Sequence, residues 1–412
     1  MILYTVKSGE GIVDIASRFE TSVRRISVDN DVFVQMPLVE GQVLVITEPK
    51  ITYTVMHGDT VDGILSGLSL DREELLQNNR DIVGNNKLYP GQELIIDKGE
   101  KKFGKVRVIS SVRPDTDIAS LERILPYLTY LSLRSCTLRS DGSLYMTEDD
   151  KAKAVSREHK VMPMLEVLPV SMFRQDWLQV LSGYEILTRV AGNIKQMVLS
   201  HGYGGVNLNF GNIPSEYFEN YVELVATLKN MLSPWGMEVI CTVPKECVLS
   251  CDPELLGDAA DIISLFPKGR DCDIMDVLEI EDLTRITNDV VESKKIAVCV
   301  PMSACDQSLR SDGHVFRSER LSSAQATRLA LEKQAVNVYD ETNCLAEYRY
   351  VDIEMGKPTE HRVIFENPES MYEILCLANE VGSNTLNVFN PDKYFAPFWT
   401  MLSSLYKIEK IQ

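Results

Sequence analysis

The stretch GYGGVNLNFGNIP, residues 202–214, reads as one buried strand released into a loop. Gly205–Phe210 is a short apolar and amide run set between glycines and a proline, a pattern of buried strands. Directly after it, Ser215–Leu232 places Tyr217, Tyr221, Val225 and Leu228 on one face at helical spacing. The pair makes one strand–helix unit. Working outward, similar apolar runs recur at Val106–Val112, Tyr127–Leu133, Val161–Leu168, Glu238–Val243, Asp261–Phe266, Lys295–Val300 and Asn384–Phe389. Eight strands with intervening helices over residues 103–412 predict an α/β fold, a parallel (β/α)8 TIM barrel. The stretch from about 307 to 367 is too long for one connection. Its alternating segments predict a small α+β insertion before the eighth strand.

The first hundred residues hold an internal repeat. YTVKSGEGI (4–12) returns as YTVMHGDTV (53–61), Asn30 returns as Asn79, and EGQVLVI (40–46) returns as PGQELII (90–96). Each copy predicts a short strand, a glycine turn, two helices and a closing strand. Ile12, Ile15, Ala16 and Phe19 form the apolar face of the first helix, matched by Val61, Ile64, Leu65 and Leu68 in the second copy. That is a βααβ module, at 1–48 and again at 51–98, followed by the charged linker DKGEKK (97–102).

Composition bounds the partners. The 412 residues carry 42 Lys plus Arg against 60 Asp plus Glu, a formal charge of −18. Neither nucleic acid nor an anionic membrane is the expected partner, because both are bound through Lys and Arg. No apolar run approaches the ~20 residues of a membrane helix. The N-terminus MILYTVKSGEG lacks the pattern of a signal peptide. The expectation is a protein made in the cytosol with its nine cysteines reduced. Cys241, Cys247 and Cys251 are spaced too loosely for zinc, and the five scattered histidines suggest no metal or cofactor.

The N-terminal repeats resemble the LysM domain, twice over. That resemblance implies binding of N-acetylglucosamine polymers, chiefly peptidoglycan and chitin. The implied groove lies between the first strand–helix loop and the loop before the last strand. In the first copy these are Gly9, Glu10, Gly11 and Ile12 with Val39, Glu40 and Gly41. In the second they are Gly58, Asp59, Thr60 and Val61 with Tyr89, Pro90 and Gly91. Gly11 stands where the family favours Thr.

The barrel segments PYLTYLSLRSCTLRSDGSL (126–144), VMPMLEV (161–167), 202–214, KKIAVCVPMSA (294–304) and ANEVGSNTLNVFN (378–390) resemble glycoside hydrolase family 18. The similar branch is that of LysM-bearing, spore cortex-lytic N-acetylglucosaminidases. The resemblance implies cleavage of β-1,4 bonds by substrate assistance, an exception to the two-carboxylate scheme. A Glu ending the fourth strand protonates the leaving oxygen while the substrate's acetamido carbonyl attacks. An Asp two residues earlier orients it. In the family motif D-G-x-D-x-D-x-E, this chain has Gly204-Gly205-Val206-Asn207-Leu208-Asn209-Phe210-Gly211. Gly211 thus stands for the proton donor and Asn209 for the orienting acid. A lost general acid costs on the order of 10²–10⁴ in rate. Nearby, Arg134-Ser135-Cys136, Phe266-Pro267-Lys268-Gly269, Met302-Ser303-Ala304-Cys305 and Phe389 replace family aromatics.

The expectation that follows is a peptidoglycan-binding, catalytically inactive glycosidase-like protein, not an enzyme. Its implied place is the spore coat or cortex or the cell wall, with other coat proteins as further partners. The alternatives are a weakly active N-acetylglucosaminidase working through a displaced acid, Glu166 or Asp271, and a purely structural coat protein. Glu166 reads either as that displaced acid or as a buried acid paired with Arg or Lys.

Overall fold

The computed structural model describes residues 1–99, 101–170, 175–250, 252–266, 272, 274–354, 356–389 and 394–411. Each N-terminal repeat folds as two helices against a two-stranded antiparallel ribbon. In the first, Ile2–Thr5 pairs with Val43–Ile46, and Ile12–Arg18 and Val23–Asn30 are the helices. In the second, Ile51–Thr54 pairs with Glu93–Asp97 around helices Val61–Leu68 and Arg72–Asn78. Ser22 and Asp71 cap their helices by accepting backbone N–H groups. The repeated asparagines do the same work in both copies. Asn30 Nδ2 donates to the Ile26 and Val45 carbonyls while its Oδ1 accepts the Val45 N–H at 2.7 Å. Asn79 does this with Leu75 and Ile95. One buried amide therefore rivets the second helix to the closing strand.

The barrel strands are Lys105–Val112, Tyr130–Leu138, Met162–Pro169, Gly205–Leu208, Glu238–Pro244, Ile262–Phe266, Ile296–Val300 and Thr385–Val388. Each runs parallel to the next, and the eighth pairs with the first (Leu386 opposite Val108), which closes the barrel. The floor of the lumen is apolar, built by Ile109, Tyr130, Met164, Ile240, Ile262 and Ala297. The second strand runs five residues past the expected Leu133 and carries one extra residue between Leu133 and Cys136 relative to the third. This bulge re-aims Arg134, as bulges commonly do at barrel rims.

The insertion is a five-stranded antiparallel sheet carrying the helix Ser323–Lys333. It opens at Ala304, three residues before the expected start, and its last strand ends at Phe365. Cys272, in the connection after the sixth barrel strand, forms a disulfide with Cys305 of this sheet, contrary to the expectation that all nine cysteines are reduced. The other described cysteines lie outside this disulfide, four of them buried. The N-terminal modules dock on the barrel through polar contacts. Thr400 donates to the Asp29 carbonyl at 3.1 Å, Gln77 donates to the Pro126 carbonyl at 2.7 Å, and His159 pairs with the buried Glu73 at 3.0 Å.

Candidate functional site

Above the apolar floor, the lumen turns polar. Asn207 on the fourth strand donates to Ser132 Oγ on the second strand at 3.1 Å and accepts from Thr242 Oγ1 on the fifth at 3.0 Å. Strands two and four are not neighbours, so this chain of bonds crosses the lumen. Asn387 on the eighth strand likewise reaches Ser264 on the sixth. At the C-terminal rim, where barrel enzymes carry their chemistry, stand Arg134, Glu166 and Asn209, with the Phe266 and Phe389 rings 4.7 Å apart.

Glu166 is fully buried. Its Oε1 accepts from Asn209 Nδ2 at 2.8 Å and lies 3.5 Å from Arg134 Nε. Its Oε2 and Asn387 Oδ1 are buried with no hydrogen-bond partner among the described residues. Unpaired buried oxygens call for an explanation, and at a barrel rim a polar ligand or water supplies one. Asn209 turns its amide nitrogen to the carboxylate, so its Oδ1 faces the other way as a hydrogen-bond acceptor. Gly211 holds φ +70°, a left-handed conformation that disfavours any side chain. Asp271 and Lys268 lie outside the described residues. A crevice of about 80 Å³ lies where the first module, the insertion and the last barrel helix meet, lined by Phe33, Val39, Leu331 and Phe395. Among the described residues, no cluster of His, Cys, Asp or Glu could hold a metal. No described helix is long and apolar enough to cross a membrane.

In the N-terminal modules, Ile12 and Val61 are buried in the module cores, so only their backbone can meet a ligand. Glu10 accepts from the Tyr4 hydroxyl at 2.6 Å and the Lys7 N–H at 3.0 Å, which with Arg18 holds its carboxyl down at about 2. Asp59 accepts from the Tyr53 hydroxyl and the Met56 N–H in the same way. Both acids brace their loops. Thr60 caps its helix by accepting the Gly63 N–H, and Gly9, Gly58, Tyr89 and Pro90 are exposed.

The LysM family model matches residues 4–47 and 53–97. The two repeats are LysM domains. Over the full length, the chain is 24% identical to the cortical fragment-lytic enzyme of Bacillus anthracis, covering 99% of both chains. The enzyme of that name from Bacillus cereus is also 24% identical over 99% of both. The spore cortex-lytic enzyme SleL of Bacillus cereus shares the fold across 100% of both chains, with TM-score 0.80 and 22% identity. These findings overturn the expectation that this LysM protein is not an enzyme. Relatives that match it from end to end are named as lytic. Glu166, named above as a displaced-acid candidate, lies on the neighbouring third strand one hydrogen bond from Asn209.

Proposed function

We propose that this chain is a glycosidase of N-acetylglucosamine-containing glycan, cortex peptidoglycan in particular, held to its polymer through LysM binding. Glu166 is its working carboxylate. The supporting observation is the Glu166–Asn209 pair at the rim, with Glu166 Oε2 unpartnered among the described residues and Asn209 Oδ1 turned away as an acceptor for an acetamido N–H. The names of the full-length relatives supply the substrate class.

The chemistry follows from those positions. Asn209 Oδ1 accepts the acetamido N–H and turns the acetamido carbonyl toward the anomeric carbon. As the glycosidic bond breaks, the proton of the buried Glu166 Oε2 passes through a bridging water to the leaving oxygen, and the carbonyl oxygen bonds to the anomeric carbon. Water then opens the resulting oxazolinium ring, its proton returning to Glu166. The Phe266 and Phe389 rings give the sugar face an apolar surface. The place of action is the spore cortex or the cell wall.

The test is reducing-end release from cortical fragments by the full chain. Glu166→Gln keeps an oxygen for Asn209 but has no proton to give. It should lower the rate about 100-fold or more. An unchanged rate would remove Glu166 from the mechanism.

A further inference from the structure

The two LysM copies share one internal frame but differ in what covers them. In both, the loop before the last strand is pinned to the first strand: Gly41 N–H donates to the Val6 carbonyl at 2.9 Å, and Gly91 N–H to the Val55 carbonyl at 2.8 Å. Gln42 and Gln92 brace that loop alike, accepting the Val39 and Tyr89 N–H groups at 3.1 and 3.0 Å.

Beyond that frame the copies part. The Asn337 N–H, in the barrel insertion, donates to the Glu40 carbonyl at 2.9 Å. A Cβ on Gly41 would lie 2.0 Å from the Asn337 carbonyl oxygen, so the two backbones are in direct contact. Val39 is 5% exposed and joins the insertion's own core with Ala326, Ala330 and Phe365. In the second copy, the matching Tyr89 is 60% exposed, and a Cβ on Gly91 would meet nothing within 4 Å. Met56, beside the first loop of that copy, is 67% exposed. Backbone carbonyls and amides of these loops are the groups a sugar acetamide would use, and in the first copy one is already taken.

We infer that the second LysM copy alone holds glycan, with Tyr89 against a sugar face, while the first serves as a bracket between the barrel and its insertion. The inference rests on the glycan-binding part of the proposed function. A second engaged groove would require the insertion to leave Val39 and Gly41.

The probe is chitopentaose, titrated into the full chain by calorimetry, with hydrogen exchange read in parallel. One site per chain is expected, with protection gained at 56–61 and 88–92. Tyr89→Ala, an exposed position whose truncation spares the fold, should weaken binding at least tenfold. Two sites per chain, protection across 7–12 and 38–42, or full affinity in Tyr89→Ala would overturn the inference. So would the absence of chitopentaose binding, while the hydrolysis assay with Glu166→Gln independently decides the barrel's role.

Discussion

Asn209 and Glu166 are joined side chain to side chain at 2.8 Å across the fourth and third barrel strands. The bond gathers in one place a carboxylate and an amide that lie 43 residues apart in sequence. It stands directly above the Ser132–Asn207–Thr242 chain, so the rim is supported from below by a polar layer. Its integrity sets the geometry available to a substrate.

That support is measurable. Asn207 is fully buried and satisfies two hydroxyls. Asn207→Leu should lower the unfolding free energy by about 2 kcal/mol, since buried polar partners are left unpaired. Denaturant titration checks this, and an unchanged midpoint would show that the layer is not structural.

Gly211 is held at φ +70°. Gly211→Ala should cost about 1 kcal/mol, the penalty of a left-handed L-residue. The same titration reads it. A neutral result would mean that the loop relaxes freely and could accept a side chain there.

Glu366 gives a pH prediction. Its oxygens accept the Ser303 N–H at 2.6 Å and the Met275 N–H at 3.4 Å, and burial pushes its carboxyl up to about 8. The folded chain therefore holds a proton that the unfolded chain, at 4.5, releases. Between those values the unfolded state binds fewer protons, so this group's contribution to stability falls as pH rises, by on the order of 1 kcal/mol per pH unit. Glu366→Gln holds no such proton. Its stability relative to wild type should grow from about pH 5 to about pH 8, as followed by denaturant unfolding. A difference that stays flat with pH would contradict the assignment.

Much of this was legible in the sequence. The eight apolar runs mark the eight strands, and the Asn30–Asn79 match marks the residues that rivet each LysM copy. What could not be read is what distant backbone does. The bulge that re-aims Arg134 arises from strand register, which side-chain type does not encode. The docking of Asn337 on Gly41 is a backbone contact between segments almost three hundred residues apart. The sequence offers Glu166 either as a displaced acid or as a buried acid paired with a cation, and does not choose between them. Glu166 lay in view as an acid within an apolar run, and only the fold brings its oxygen beside Asn209.

The central claim, hydrolysis by a barrel whose carboxylate comes from its third strand, has one direct measurement. Full-length protein is incubated with cortical fragments in water labelled with heavy oxygen, and the products are weighed by mass spectrometry. The expected result is one labelled oxygen at each new reducing N-acetylglucosamine end with wild type and almost none with Glu166→Gln. No incorporation by wild type, or equal incorporation by both, would contradict it.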